Sequence, residues 1–210
     1  MSGDDNNKVS RRAEYAEATR QAIVAAARRL FSERGYFATK VDDIAALARV
    51  APVTVYTVTG GKHELLRTLI ETWTTAPIIE ATLRGIQEQD DPAAILHLVA
   101  AAARRMREEF GDIMQVILVT APHDQDVSES LSGATTRYRQ AFVPIAQRLM
   151  DLDALRDGLD LTQAVDVLWF YFGYWGLFTL HNENAWTYEN AEQWLRNAAS
   201  QALLRNPIPS

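Results

Sequence analysis

The chain has 210 residues, 48% of them hydrophobic, and a formal net charge of -6. That length allows one large domain or two small ones, each with a real core. The absence of cysteine excludes disulfides, cysteine zinc sites and thiol catalysis, and fits a reducing cytosol.

The charge is unevenly spread. Residues 8–67 hold eleven Lys and Arg against six Asp and Glu, whereas residues 68–210 hold ten against nineteen. A basic front on an acidic body implies that the front alone meets a polyanion. The opening MSGDDNNKVS is polar and has no apolar stretch of the kind a signal peptide needs. Residues 1–9 are therefore read as a disordered arm, and the protein as cytoplasmic.

Helical periodicity starts near Arg12, where Ile23, Ala26, Ala27, Leu30 and Phe31 recur at spacings of three and four. Gly35 ends that helix, since glycine enters the left-handed region cheaply. Thr39 is placed to cap a second helix, Val41 to Ala48, with Asp42 completing a capping box. That helix is expected to bury Val41, Ile44, Ala45 and Leu47. Arg49 to Ala51 forms a short turn, and Pro52 suits the first turn of a third helix. Two short helices joined by a tight turn are a helix-turn-helix pattern, with Val50, Val55 and Val58 facing the core.

The remainder reads as helix to the end, with no strand signal and no internal repeat. A helix over 62–75 turns Leu65, Leu66, Leu69, Ile70 and Trp73 inward, and Pro77 breaks or restarts it. Others cover 92–109, 112–120 and 126–150, the last kinked at Pro144. An aromatic helix over 161–180 and a final one over 190–204 complete the chain. Within the aromatic helix, Val167 to Leu180 is an uncharged run of 14 residues, short of the roughly 20 that span a membrane. It is read as core.

Gly60-Gly61-Lys62 raises the question of phosphate. A P-loop needs glycine six residues before its lysine and Ser or Thr after it. Here Tyr56 and His63 stand in those places, and no strand precedes. A nucleotide site is excluded, which leaves the backbone of DNA. Gly61 and Lys62 open a helix whose amides attract anions. Thr54, Tyr56 and Thr57 offer hydroxyls to phosphate oxygens.

The stretch TRQAIVAAARRLFSERGYFATKVDDIAALARVAPVTVYTVTGGKHELL, residues 19–66, resembles the N-terminal domain of TetR-family transcriptional regulators. Ala26, Phe31, Gly35, Tyr36, Thr39, Val41, Ile44, Ala45, Val50, Thr54, Tyr56, Lys62 and Leu65 carry the resemblance. It implies an all-α protein with a three-helix DNA-binding domain over about 10–60. A larger helical domain over 62–206 would then dimerise and take a small effector that releases DNA. Implied DNA contacts are Lys40, Pro52, Val53, Thr54, Tyr56, Thr57, Gly61 and Lys62. Tyr56 and Lys62 would chiefly meet phosphates, and Val53 and Thr57 would lie nearer base edges. Three positions depart from the family pattern: Arg49 for a turn glycine, Ala51 for a serine cap and Thr59 for a packing phenylalanine.

The aromatic helix is apolar on every side, so something must cover each face. Trp169, Gly173 and Gly176, with Trp194, Ala198 and Ala202 of the last helix, are the expected dimer interface. Trp73, Tyr138, Phe142, Phe172 and Trp175 are the expected lining of a cavity for a small apolar or aromatic effector. No cofactor and no metal is expected. The four histidines are widely spaced and no nucleophile elbow or zincin motif occurs. His123, Asp124 and Asp126 read as a polar helix start in preference to a metal site. The protein is thus expected not to be an enzyme. The alternatives are a helical small-molecule binding protein or enzyme that has lost operator binding, and a membrane-bound regulator.

Overall fold

The computed structural model describes residues 3–208, with side chains from residue 11 onward except residue 12. Among the described residues the protein is all-α, with one isolated antiparallel bridge, Leu155 to Leu204. In chain order the helices are α1 (Gly3–Arg34), α2 (Val41–Ala48), α3 (Pro52–Thr59), α4 (Lys62–Thr74) and α5 (Pro77–Gln87). They continue with α6 (Pro92–Thr120), α7 (Gln125–Asp151), α8 (Leu161–Phe172), α9 (Trp175–Phe178) and α10 (Tyr188–Leu203). A 3-10 turn, Ala121–His123, precedes α7, and a π turn, Thr179–Glu183, follows α9. No described helix is long and apolar enough to cross a membrane. Of the arm expected over 1–9, residues 1–2 lie outside the described residues and the rest belong to α1.

Two compact units result. The first holds the chain through Thr72 together with Asp112–Ser132. Its core is the α1 stripe, in which Ile23, Ala26, Ala27, Leu30 and Phe31 are all buried, joined by Ile44, Ala45 and Val55. Arg28 of α1 grips Asp112 with two bonds of 2.7 and 2.9 Å, to which Ser32 adds a third. Leu47 corrects the sequence reading: it is 41% exposed, because it lies off the helix face shared by Val41, Ile44, Ala45 and Ala48. Thr39 is a second correction. Lys40 occupies the N-cap of α2, and the carboxylate of Asp43, not Asp42, accepts its backbone N–H. The Thr39 hydroxyl instead points back to the carbonyls of Leu30 and Gly35, closing the end of α1.

The second unit holds Trp73–Gly111 and Gly133–Ser210. Leu96, Val99, Phe142, Ile145, Leu149, Leu168, Leu195 and Leu203 form its core. Arg104 binds Glu192 at 2.6 Å, and Arg139 pairs with Asp166. α6 is continuous where two helices were expected. Gly111 continues the helix, its bare Cα facing the Phe178 ring, where a Cβ would sit 3.4 Å away. The expected helix over 161–180 is broken at Gly173. A Cβ there would stand 2.3 Å from the Trp169 carbonyl oxygen, so only glycine fits the break.

Candidate nucleic-acid interface and effector cavity

The helix-turn-helix is built from α2 and α3. α2 closes with Arg49 in the left-handed region (φ 59, ψ 40). The N–H groups of Arg49 and Val50 donate to Ala46 and Ala45, which satisfies the last carbonyls of α2. Ala51 is extended and gives α3 no side-chain cap, and Pro52 opens the helix. Val55 is fully buried against the unit's core, while Val50 and Val58 are half-buried. The opposite face of α3 is open: Val53 is 68% and Tyr56 57% exposed, with Pro52 and Thr57 beside them. Thr54 is half-buried, and the Thr57 hydroxyl donates to the Val53 carbonyl at 2.8 Å. Lys40 is exposed at the start of α2.

The Gly60-Gly61 link makes the reversal into α4. Gly61 has φ 99 and lies buried under Tyr56, whose ring would be 3.2 Å from an added Cβ. The Lys62 ammonium is turned toward the protein. It donates to the carbonyls of Tyr36 at 2.9 Å and Thr39 at 3.2 Å, and sits 4.2 Å from the Tyr36 ring centroid. Burial draws its pKa below the ordinary lysine value, against the pull of Asp124. Two of three ammonium protons are engaged, and one is left for a further acceptor.

Beside it, the Tyr36 hydroxyl is 3.2 Å from His63 Nδ1, and His63 Nε2 is 3.4 Å from Asp124 and 3.3 Å from Asp126. The Tyr36 pKa is pushed up to about 12, first by burial and then by Asp124 and Asp126. His63, Asp124 and Asp126 each bring one ligand atom within 4.8 Å of the others, which is the donor set for a small cation. His123, weighed with the two aspartates from sequence, is exposed, and His63 takes its place. His63 stands 61 and 63 residues before Asp124 and Asp126, so spacing carried no sign of it.

The second unit holds a divided cavity. One lobe, of about 60 Å³, is lined by Ile78, Ile79, Val99, Met106, Tyr138 and Phe142. The other, of about 80 Å³, is lined by Trp73, Ile79, Met106, Arg137 and Tyr138. Trp73 lines one lobe, Phe142 the other and Tyr138 both, with Tyr138 stacked on Phe142 at 5.4 Å and edge-on to Trp73 at 6.3 Å. Phe172 and Trp175 are not among this lining. Phe172 is packed in the core, and the break at Gly173 turns Trp175 outward, where it is 61% exposed. Ile78, Ile79 and Met106 were missed: no helix was assigned between Pro77 and Pro92, where α5 lies, and α6 was read as two helices.

Of the residues expected at a dimer interface, Gly173 is buried inside its own unit and Trp169 is half-buried against Tyr138 and Tyr174. Gly176, Ala198 and Ala202 are half-buried. Trp194 is half exposed and shares a surface groove with Phe170 and Trp175, of which Phe170 is 73% exposed.

Residues 23–69 match the family model for bacterial regulatory proteins of the tetR family. No curated protein matches the chain. Among solved structures, NalD of Pseudomonas aeruginosa, the secondary repressor of the MexAB-OprM multidrug efflux pump, superposes with a TM-score of 0.71 at 20% identity. That match covers 92% of this chain and 99% of NalD. The SmeT–triclosan complex gives 0.74 at 20% identity over 92% of this chain and 100% of the other. GusR of Salmonella enterica gives 0.69 at 19% identity over 88% and 95%. Residues 23–69 are thus similar to the tetR-family N-terminal domain, and the chain shares the fold of these structures: a helix-turn-helix domain at the N-terminus and a larger helical domain after it.

Proposed function

We propose that the protein is a homodimeric transcriptional repressor that binds an inverted-repeat operator and is released by a small-molecule effector. The observation carrying this reading is the open face of α3. Pro52, Val53, Tyr56 and Thr57 lie outward while Val55 anchors the helix from behind. Apolar Val53 suits a thymine methyl, and hydroxyls suit phosphate or base edges. Lys40 and the third proton of Lys62 add phosphate contacts, while Gly61, buried under Tyr56, sets the turn into α4 and makes none.

Dimerisation rests on Phe170, Trp175 and Trp194, large exposed rings in one groove. Exposed aromatic clusters of this kind mark interaction sites. Two copies would set their recognition helices about 34–36 Å apart, in successive major grooves.

Effector control rests on α4, which carries Lys62 at its first residue and the cavity residue Trp73 near its last. A ligand that prefers the non-DNA geometry lowers operator affinity, and coupling of about 1–3 kcal/mol lowers it roughly 5- to 150-fold. Among the neighbours NalD is a repressor and SmeT is seen with triclosan, which supports the same reading here. Footprinting with purified protein tests it: protection of two symmetric half-sites is expected. A chain that takes a cavity ligand yet protects no DNA is instead a binding protein or enzyme on this scaffold.

A further inference from the structure

Arg107 of α6 is 1% exposed and takes part in none of the ion pairs among the described residues. One nitrogen, Nη2, donates to the Gly173 carbonyl at 2.5 Å, while Nε and Nη1 are buried without an acceptor. The Tyr138 and Phe178 rings lie 6.0 and 5.2 Å from its central carbon. The break after α8 explains part of this arrangement. It exposes the last carbonyls of that helix, and Tyr138 and Arg107 cap them at Phe172 and Gly173. A cap uses one donor. It does not account for a guanidinium kept from water with two nitrogens idle, since an unpaired buried charge is among the costliest groups to hold.

A second orphan lies close by. The indole Nε1–H of Trp73 is buried without an acceptor, and Trp73 lines the larger lobe of the cavity. Tyr138 lines both lobes and stands next to both orphan donors, 6.3 Å from Trp73 and 6.0 Å from Arg107. Among the described residues, the unpartnered buried donor on the cavity wall is Trp73 Nε1; Arg107 lines neither lobe and lies behind the Tyr138 ring, and the cation on the wall of the larger lobe is Arg137.

We infer that the effector is an apolar or aromatic carboxylate, its anionic end received by Arg107 and the Trp73 indole and its body by Met106, Ile79 and Phe142. This rests on the effector-controlled reading above and gives it a ligand class. Arginine suits the task, because its guanidinium stays charged when buried and forms strong bonds to carboxylates. The two lobes, about 60 and 80 Å³, share Ile79, Met106 and Tyr138. Rotation of the flexible Met106 and of Tyr138 joins them, so binding a molecule of useful size carries a conformational change with it.

The test uses the full-length protein and matched pairs: benzoate with benzyl alcohol, 2-naphthoate with 2-naphthalenemethanol, and decanoate with decanol. Binding is read from tryptophan fluorescence and calorimetry, and DNA release from anisotropy of a selected operator. At least one acid should bind about tenfold or more tighter than its alcohol, the selectivity expected when a buried donor otherwise stays unpaired. Arg107→Met should abolish that preference and Arg107→Lys should retain part of it. The paired comparison in the wild type stands without the variants, should either fail to fold. Equal affinity within every pair, or no acid binding at all, overturns the proposal. Acids that bind through Arg107 but leave operator affinity unchanged support the site and overturn effector release. Alcohols that bind equally well and release DNA do the reverse.

Discussion

The Lys62 ammonium donates to the backbone carbonyl of Tyr36 and lies over the same residue's ring, so one side chain fastens the start of α4 to the end of the α1–α2 loop. Removing it breaks two charge-assisted bonds and, on the proposed function, also the phosphate contact of its third proton. Lys62→Ala should therefore destabilise the protein by about 1.5–3 kcal/mol. It should weaken binding to all DNA sequences alike and lower the salt slope by about one unit. Chemical denaturation and affinity at several salt concentrations separate the two roles. A destabilised variant with an unchanged slope leaves Lys62 as a clasp alone.

Tyr36 makes stability sensitive to alkali. Its pKa is raised from 10.0 to about 12, chiefly by burial and further by Asp124 and Asp126. A raised folded-state value means the neutral hydroxyl is favoured in the native protein. The contribution is whole below pH 10 and is lost as pH rises through 12. Urea midpoints of wild type and Tyr36→Phe should keep a constant gap up to about pH 10 and then shift, the wild type falling faster. Parallel curves would contradict the placement of this hydroxyl. Tyr174, raised to about 12 by burial above all, should behave alike.

Arg49 holds the turn between α2 and α3 at φ 59, a conformation that costs a residue with a side chain about 1–2 kcal/mol. Glycine avoids that cost but loses some chain entropy. Arg49→Gly should then gain about 1 kcal/mol and raise Tm by about 2–4 °C in a thermal melt. A lower Tm would mean that the Arg49 side chain, and not its backbone, matters there.

Gly61 has no such freedom to change. With φ 99 and the Tyr56 ring 3.2 Å from an added Cβ, Gly61→Ala should cost about 1–3 kcal/mol and displace Tyr56 from the α3 surface. Stability and operator affinity should fall together. Wild-type DNA affinity in this variant would remove Tyr56 from the contact surface.

The exposed rings of the second unit give a prediction on assembly. Phe170→Glu with Trp194→Glu should shift sedimentation at micromolar concentration from dimer to monomer while far-UV circular dichroism stays helical. A dimer that survives both charges places the interface elsewhere.

How much of this was legible depends on whether the cause is local. The apolar stripes of α1 and α4 repeat every three or four residues, so their buried residues were readable one by one. The turn at Arg49 and Pro52 was readable from backbone chemistry. The break at Gly173 was not, because a glycine inside an aromatic run looks like close packing between helices. What fixes it is Arg107, sixty-six residues earlier, taking its carbonyl. The inward turn of Lys62 and the His63–Asp124–Asp126 cluster were hidden for the same reason: each depends on loops that only the fold brings together. Trp175 was misplaced as a consequence of the missed break.

On the proposed function, the outward face of α3 meets DNA as one half of a symmetric pair. Selection of bound sequences from random duplexes, followed by footprinting, tests it most directly. Enrichment of an inverted repeat with half-sites about one helical turn apart is expected, abolished by Tyr56→Ala together with Val53→Ala. No enrichment over the input pool, or a single unpaired half-site unaffected by those substitutions, would contradict it.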